Sequence, residues 1–315
     1  MKIVIALLIL FTSITVCNDP VETKIELPFN TTGKKIKPLR SLIDLNLQFR
    51  LMSKINKNKK WSRLIKEKKM AIGVVDLSDT SMIKFARING NEMMYAASLP
   101  KIGILLASMD AFEKGELAET PELLHDIRIM IAKSDNQAST RMMERLGYEK
   151  ISQVLTDPKY KFYDKKFGGG LWVGKKYAKT GSRFPEPILG LSHAATVSQV
   201  CRFYYMLAYG KLINYERSKQ MLAVMGDPEI HHKFVSVIEK EDPNAKLYRK
   251  SGTWKDWHSD SILVWGDDWR RYILVALIED PDGSKILKEL VPIVEELLQK
   301  NLVSVNEVED VDDFE

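Results

Sequence analysis

The chain has two cysteines and five histidines in 315 residues, and neither type is spaced as a metal site requires. With no Cys-x-x-Cys pair and no Cys/His quartet, a zinc module and a disulfide framework are both excluded. His231 and His232 are adjacent, which does not put two rings on one helical face, so no metal is expected. Phosphate-loop glycines are missing as well, and no cofactor is expected. The apolar run at residues 3–11 has nine residues, too few to span a bilayer. Neither charge sign is scarce, with 47 Lys+Arg against 42 Asp+Glu and a formal net charge of +5. With 45% hydrophobic and 28% charged residues, the composition is that of a globular protein, not a disordered or multi-span one. Basic residues cluster only at 54–69 (KINKNKKWSRLIKEKK), which reads as a solvated helix face, so no nucleic-acid partner is expected.

The short apolar run follows Lys2 and precedes residues 12–16 and Cys17, the pattern of a secretory signal over residues 1–17. Cys17 after Ile14-Thr15-Val16 loosely resembles a lipoprotein box, although Val16 is larger than the residue expected there. Simple cleavage and a lipid anchor at Cys17 are therefore both open. Either way the protein is expected to be exported to the periplasm or cell envelope. If Cys17 is removed, Cys201 has no intramolecular partner, and its apolar helical context suggests a buried free thiol.

Three short motifs occur in a fixed order. They are Ser98-Leu99-Pro100-Lys101, Ser134-Asp135-Asn136 and Lys250-Ser251-Gly252-Thr253. S-x-x-K alone should occur about once by chance in a chain of this length, but all three in order amount to roughly a one per cent accident. Context strengthens the first. An apolar run at 93–97 leads to Ser98, Pro100 suits the first turn of a helix, and residues 102–117 read as that helix. Lys101 then lies one turn from Ser98 on the same face. A second K-T-G, Lys179-Thr180-Gly181, lies among turn residues with no strand pattern and reads as loop. The 250–252 motif is followed by two strand-like runs joined at 266–268, so it has the strand edge that the first motif needs.

The remaining elements follow from periodicity. Residues 39–69 have helical spacing, 70–77 a buried strand pattern, and 82–88 its hairpin partner. Helices are expected at 121–133, after Ser134 up to Gly147, at 196–212 and at 284–302, with an irregular stretch at 160–192. The fold class is therefore α+β: an antiparallel sheet flanked by helices, made from both chain ends, with an all-helical region inserted. The expected divisions are an extended lead-in at 18–38, a catalytic domain at 39–302 and an acidic, disordered tail at 303–315. Within the domain the sheet part takes 39–97 and 245–302, and the helical part 98–244.

On these motifs and this element order, residues 40–302 resemble the superfamily of serine β-lactamases and penicillin-binding transpeptidases, class A-like branch. The resemblance implies that Ser98 attacks a carbonyl to form an acyl-enzyme, with Lys101 as the nearest base and Ser134 as a proton relay. It implies that Asn136 binds the substrate amide, and that Lys250, Ser251 and Thr253 hold the substrate end bearing a carboxylate. The backbone N–H groups of Ser98 and Thr253 would form the oxyanion hole, worth about 3–4 kcal/mol per donor. Asp260 falls where the family often has a polar residue.

Two departures from the pattern matter. Ser98 and Ser134 are 36 residues apart (134 − 98), closer than is usual for class A. The hydrolytic members carry a glutamate after S-D-N that activates the deacylating water, but residues 163–172 (YDKKFGGGLW) contain none. Asp164 is the nearest carboxylate and Glu186 a more distant one; the ordinary reading is a surface Asp and a surface Glu between prolines. Trp254, Trp257 and His258 follow the third motif closely enough to line a cleft, although His258 could simply begin a strand. The leading expectation is an exported, monomeric serine hydrolase acting on β-lactam-like or peptidoglycan-like amides. The alternatives are a D-Ala-D-Ala carboxypeptidase or esterase with slow β-lactam turnover, and a catalytically silent cell-wall-binding protein.

Overall fold

The computed structural model describes residues 28–29, 35–226, 228–267 and 269–309. The expected signal segment, Cys17 and most of the lead-in lie outside the described residues. A 3₁₀ turn at Leu39–Leu42 leads into α1 (Leu45–Asn56) and α2 (Lys59–Lys66), which are capped by Asp44 and Asn58. Strands β1 (Met70–Asp76), β2 (Lys84–Ile88) and the short β3 (Met94–Tyr95) follow. Then come α3 (Lys101–Glu113), α4 (Pro121–Ala132) and α5 (Asn136–Thr156). Gly147 breaks α5 with a φ of 77°, where the sequence predicts a helix end; a second helical stretch resumes directly after it.

Residues 163–195 contain four short strands: β4 (Tyr163–Asp164), β5 (Gly169–Gly170), β6 (Trp172–Val173) and β7 (His193–Ala195). The chain continues through α6 (Val197–Ala208), α7 (Tyr215–Met225) and α8 (Val235–Glu241). It closes with β8 (Lys246–Trp254), β9 (Trp257–Trp265), β10 (Arg271–Glu279) and α9 (Gly283–Glu309).

One antiparallel sheet, ordered β2-β1-β10-β9-β8, joins the two chain ends. Both of its faces are covered, which explains why residues 70–75 form an unbroken apolar run. Ile72 and Val74 pack with Leu47, Leu51, Leu287 and Leu290 from α1 and α9. Ala71 and Val75 point the other way, into a cluster with Val197 and Val200 from α6 and the helices beyond. Cys201 is a buried free thiol on that second face, close enough that a Cβ on Gly73 would lie 2.6 Å from its sulfur.

Two expectations need correction. The inserted region is not all-helical, because it contains β6 and β7, which extend β3 into a three-stranded sheet, and β4, which pairs with β5. These strands have two or three residues each, too short for a period-2 pattern to register. The terminal helix continues to Glu309, so residues 303–309 are not a structureless tail; nothing in that stretch is a Gly or Pro that would stop a helix.

Candidate active site

Ser98 sits in the tight turn between β3 and α3. The turn is held from two sides: Ala96 N–H donates to His193 O (2.9 Å), and Ser259 Oγ donates to Ala96 O (2.9 Å). Ala97 has a φ of 50°, in the left-handed region that residues with a side chain rarely adopt. Strand β8 is the edge of its sheet and runs directly against this turn. A Cβ on Gly252 would lie 2.5 Å from both Ser98 N and Ala96 O, so only glycine allows this approach. The backbones of Ser98 and the 250–253 motif are thereby brought together.

The second motif is shaped by its own aspartate. Asp135 caps α5 by accepting from Ala138 N–H (2.6 Å), which makes Asn136 the first residue of the helix. Ser134 then turns the chain with a φ of 57°. Lys101 is fully buried and donates to Ser134 O (2.6 Å) and Asn136 Oδ1 (2.9 Å), with Ser134 Oγ at 3.4 Å. Lys250 donates to Ser134 Oγ from the other side (2.8 Å) and to Ser251 O (2.9 Å). The Ser134 hydroxyl therefore lies between two buried amines.

Burial sets the charge state of both. It pushes Lys101 down to about 7, partly opposed by the Asp135 carboxylate. Lys250 lies well below the usual lysine range, first because it is buried and then because Lys101 and Arg249 are nearby cations. Arg249 itself is paired with the fully buried Asp260 (2.8 and 3.0 Å), so the polar residue expected at 260 anchors the back of β8.

A cavity of about 660 Å³ opens above this network. Ser98, Asn136 and Thr253 line it, and Tyr95, Trp254 and Trp257 add aromatic walls. Lys101, Ser134 and Lys250 stand behind the wall, linked by the bonds above. Ser251 is not presented to the cavity: it is buried, and its hydroxyl lies 3.2 Å from His232 Nε2. Thr253, at the exposed end of β8, is the residue that reaches the cavity. His258 faces away, its ring close to where a Cβ on Gly283 would lie, so it begins a strand and does not line the cleft.

The two candidate deacylation carboxylates are placed elsewhere. Asp164 caps the turn after β4 by accepting from Lys166 N–H (3.0 Å) and does not line the cavity. Glu186 is not a surface residue but is 1% exposed. Its carboxylate accepts from Tyr163 OH (2.8 Å) and from the N–H groups of Ile188 (2.7 Å), Leu189 (2.6 Å) and Leu191 (3.1 Å). Those bonds hold it below the usual carboxylate range despite its burial. None of the described residues lining the cavity is an Asp or Glu.

Three residues of the site escape sequence reasoning. Tyr177 places its ring 4.5 Å from Lys101 Nζ and donates to Ala97 O (3.2 Å). His193 packs against Tyr95 and Tyr177, and burial depresses it to about 4, leaving a neutral ring. Lys233 is buried beneath β8 and donates to Gly252 O (2.7 Å), Thr253 Oγ1 (2.8 Å) and Ser259 O (3.1 Å). It fixes the end of the strand and, by donating to Thr253 Oγ1, leaves the threonine's own proton free to point elsewhere. Tyr177 and Lys233 lie in stretches without periodicity, and His193 in a three-residue strand, so no pattern marks them. Among the described residues no group of three His, Cys, Asp or Glu side chains could hold a metal, and no helix is long and apolar enough to cross a membrane.

A serine at a helix entrance, a depressed lysine one turn on and a hydroxyl bridging two buried amines are the groups that the serine β-lactamase class would use. Comparison with known proteins fits that class. A family model described as "Beta-lactamase enzyme family" matches residues 118–298, and the chain belongs to that family. Solved structures share the fold at low identity. A β-lactamase from Sphaerobacter thermophilus has a TM-score of 0.60 at 14% identity, covering 79% of this chain and 95% of its own. PBP-A has a TM-score of 0.60 at 16% identity, covering 82% and 97%. A mutant of PBP-A, in an acyl-enzyme complex with penicillin G, has 0.60 at 18% identity, covering 84% and 100%. No curated protein sequence matches the chain.

Proposed function

We propose that the protein is an exported serine hydrolase that forms an acyl-enzyme on Ser98 with β-lactam-like or peptidyl amides. The observation that carries this reading is the chain Lys250 Nζ–Ser134 Oγ–Lys101 Nζ behind Ser98. Neutral Lys101 takes the Ser98 proton as Oγ attacks the carbonyl carbon. Ser134, with Lys250 behind it, passes a proton to the leaving nitrogen. Thr253 and the positive field of Lys250 receive the substrate carboxylate, and Asn136 receives the amide. The N–H groups of Ser98 and Thr253 hold the oxyanion. The acyl-enzyme turns over slowly, because no carboxylate lines the cavity to activate water. Peptidase or esterase action on an unstrained substrate therefore fits better than efficient β-lactam hydrolysis.

One observation favours the hydrolytic reading. Glu186 is buried in its own turn, but Arg183 before it and Leu191 and Ser192 after it do line the cavity. Its carboxylate could serve at Ser98 only if that turn opened and gave up several of the four bonds it accepts. Nitrocefin turnover by residues 18–315, with intact-protein mass spectrometry on wild type and Ser98→Ala, tests both readings. A stable adduct on wild type alone supports the slow acyl-enzyme, steady turnover supports hydrolysis, and an adduct that persists in Ser98→Ala refutes the assignment. Export is checked by fractionating cells that express the full chain; a Cys17→Ala variant that leaves the membrane fraction would establish the lipid anchor.

A further inference from the structure

The second K-T-G motif has no strand to act on, yet its lysine is at the cavity. Residues 175–183 (KKYAKTGSR) form an excursion closed at its base by a Lys175–Arg183 bridge and by Phe184 N–H donating to Gly174 O (2.7 Å). Tyr148 of α5 pins both arms: its hydroxyl accepts from Lys176 N–H (3.1 Å) and donates to Ser182 O (3.0 Å). Phe184 stacks on Tyr148, and His193 Nε2 lies 2.9 Å from Lys175 O. The loop is thus a built wall, and it stands against the helix whose first residue is Asn136.

Four cations of this wall line the cavity: Lys175, Lys176, Lys179 and Arg183. No lining residue opposes them with a carboxylate. Lys176 is paired with Glu144 (2.8 Å), and Arg183 donates to Gly190 O (3.0 Å). Lys175 and Lys179 have no ion-pair partner among the described residues. The wall is tied to α5, the helix that begins at Asn136, through Tyr148 and the Lys176–Glu144 pair, whereas Thr253 and Lys250, assigned to the substrate's own carboxylate, belong to β8. A second anion would therefore be met on the acyl side.

We infer that the enzyme selects substrates whose acyl group carries a carboxylate, as an acidic peptide does, and that Lys175 and Lys179 read it. The inference rests on the acyl-enzyme reading above. Carbenicillin and benzylpenicillin test it, because they differ only by a carboxylate on the acyl side chain. The second-order rate of Ser98 acylation by each is measured by intact mass on the wild type and on a Lys175→Ala/Lys179→Ala variant, at low and at high salt. The expected wild-type ratio favours carbenicillin by about three- to tenfold at low salt. That preference should shrink towards one as salt screens exposed charges, and in the double variant. A wild-type ratio of one or below, with benzylpenicillin acylating normally, overturns the inference alone. A preference that survives in the double variant overturns the assignment to these lysines. No adduct with either penicillin overturns the acyl-enzyme reading and the inference together.

Discussion

Replacing Lys101 with arginine would fix a positive charge where the reaction needs a neutral amine. Burial pushes Lys101 down to about 7, against 10.5 for a free lysine. At pH 7 about half of the molecules then carry a neutral Lys101, whereas an unshifted lysine would be neutral in roughly one in 3,000. Lowering the pH to 6 should leave roughly one in eleven neutral, and pH 5 roughly one in a hundred. If Lys101 is the base, the rate of Ser98 acylation should climb about tenfold per pH unit between 5 and 6.5 and level off above 7. Single-turnover labelling with a fluorescent penicillin measures this, with circular dichroism confirming the fold at each pH. Arginine cannot lose its proton, so Lys101→Arg should lower the plateau by about 10²–10⁴-fold and flatten the profile. Lys101→Met, which keeps the length and suits a fully buried site, should do the same without the charge. A wild-type profile flat from pH 5 to 8, or a Lys101→Met variant that keeps the slope, would refute Lys101 as the base.

Gly252→Ala should slow acylation by about 10²-fold, because β8 must retreat by about 1 Å to take a Cβ now 2.5 Å from Ser98 N; an unchanged rate would mean that the strand edge is not part of the site. Glu186→Gln should lower the melting temperature, since one carboxylate oxygen accepting N–H bonds becomes a donor, at a cost of about 1–3 kcal/mol; differential scanning calorimetry reads this. Stability should also fall as pH drops from 6.5 towards 4. His193 is depressed to about 4 when folded, so the unfolded chain binds the extra proton in that window, and at most about 3 kcal/mol is lost. His193→Phe keeps the ring packing and should show a shallower slope of melting temperature against pH; an equal slope would place the acid sensitivity elsewhere.

What could be read from sequence was whatever repeats or punctuates. The double-faced burial of β1 appears as an unbroken apolar run, and Gly147 stops a helix because only glycine takes its φ cheaply. The helix entered after Ser98 follows from Pro100 and the apolar residues beyond it. Wall residues without a period could not be read this way. Tyr177 and Lys179 are at the cavity because Tyr148, 28 or more residues earlier, anchors their loop through backbone groups. Lys233 is a charged residue in an irregular stretch, which ordinarily means solvent; three acceptors near the end of β8 make a buried position tolerable. Glu186 misleads for the same reason: its flanking prolines suggest an exposed loop, while three backbone N–H donors supply the burial.

That burial also bears on how the acyl-enzyme is resolved. A carboxylate that accepts four hydrogen bonds is a poor base, because each donor stabilises the charged form it would have to give up on taking a proton from water. To activate water at Ser98, Glu186 would have to break several of those bonds and expose the N–H groups of its own turn. Lys101 needs no such rearrangement. It is held against Ser134 and Asn136, and its depressed pKa lets it be neutral near pH 7 in the free enzyme. The same amine can therefore activate Ser98 and later a water that enters the open cavity. A deacylation rate with an inflection near pH 7 that survives Glu186→Gln would identify that route, and loss of turnover in Glu186→Gln with acylation intact would identify the other.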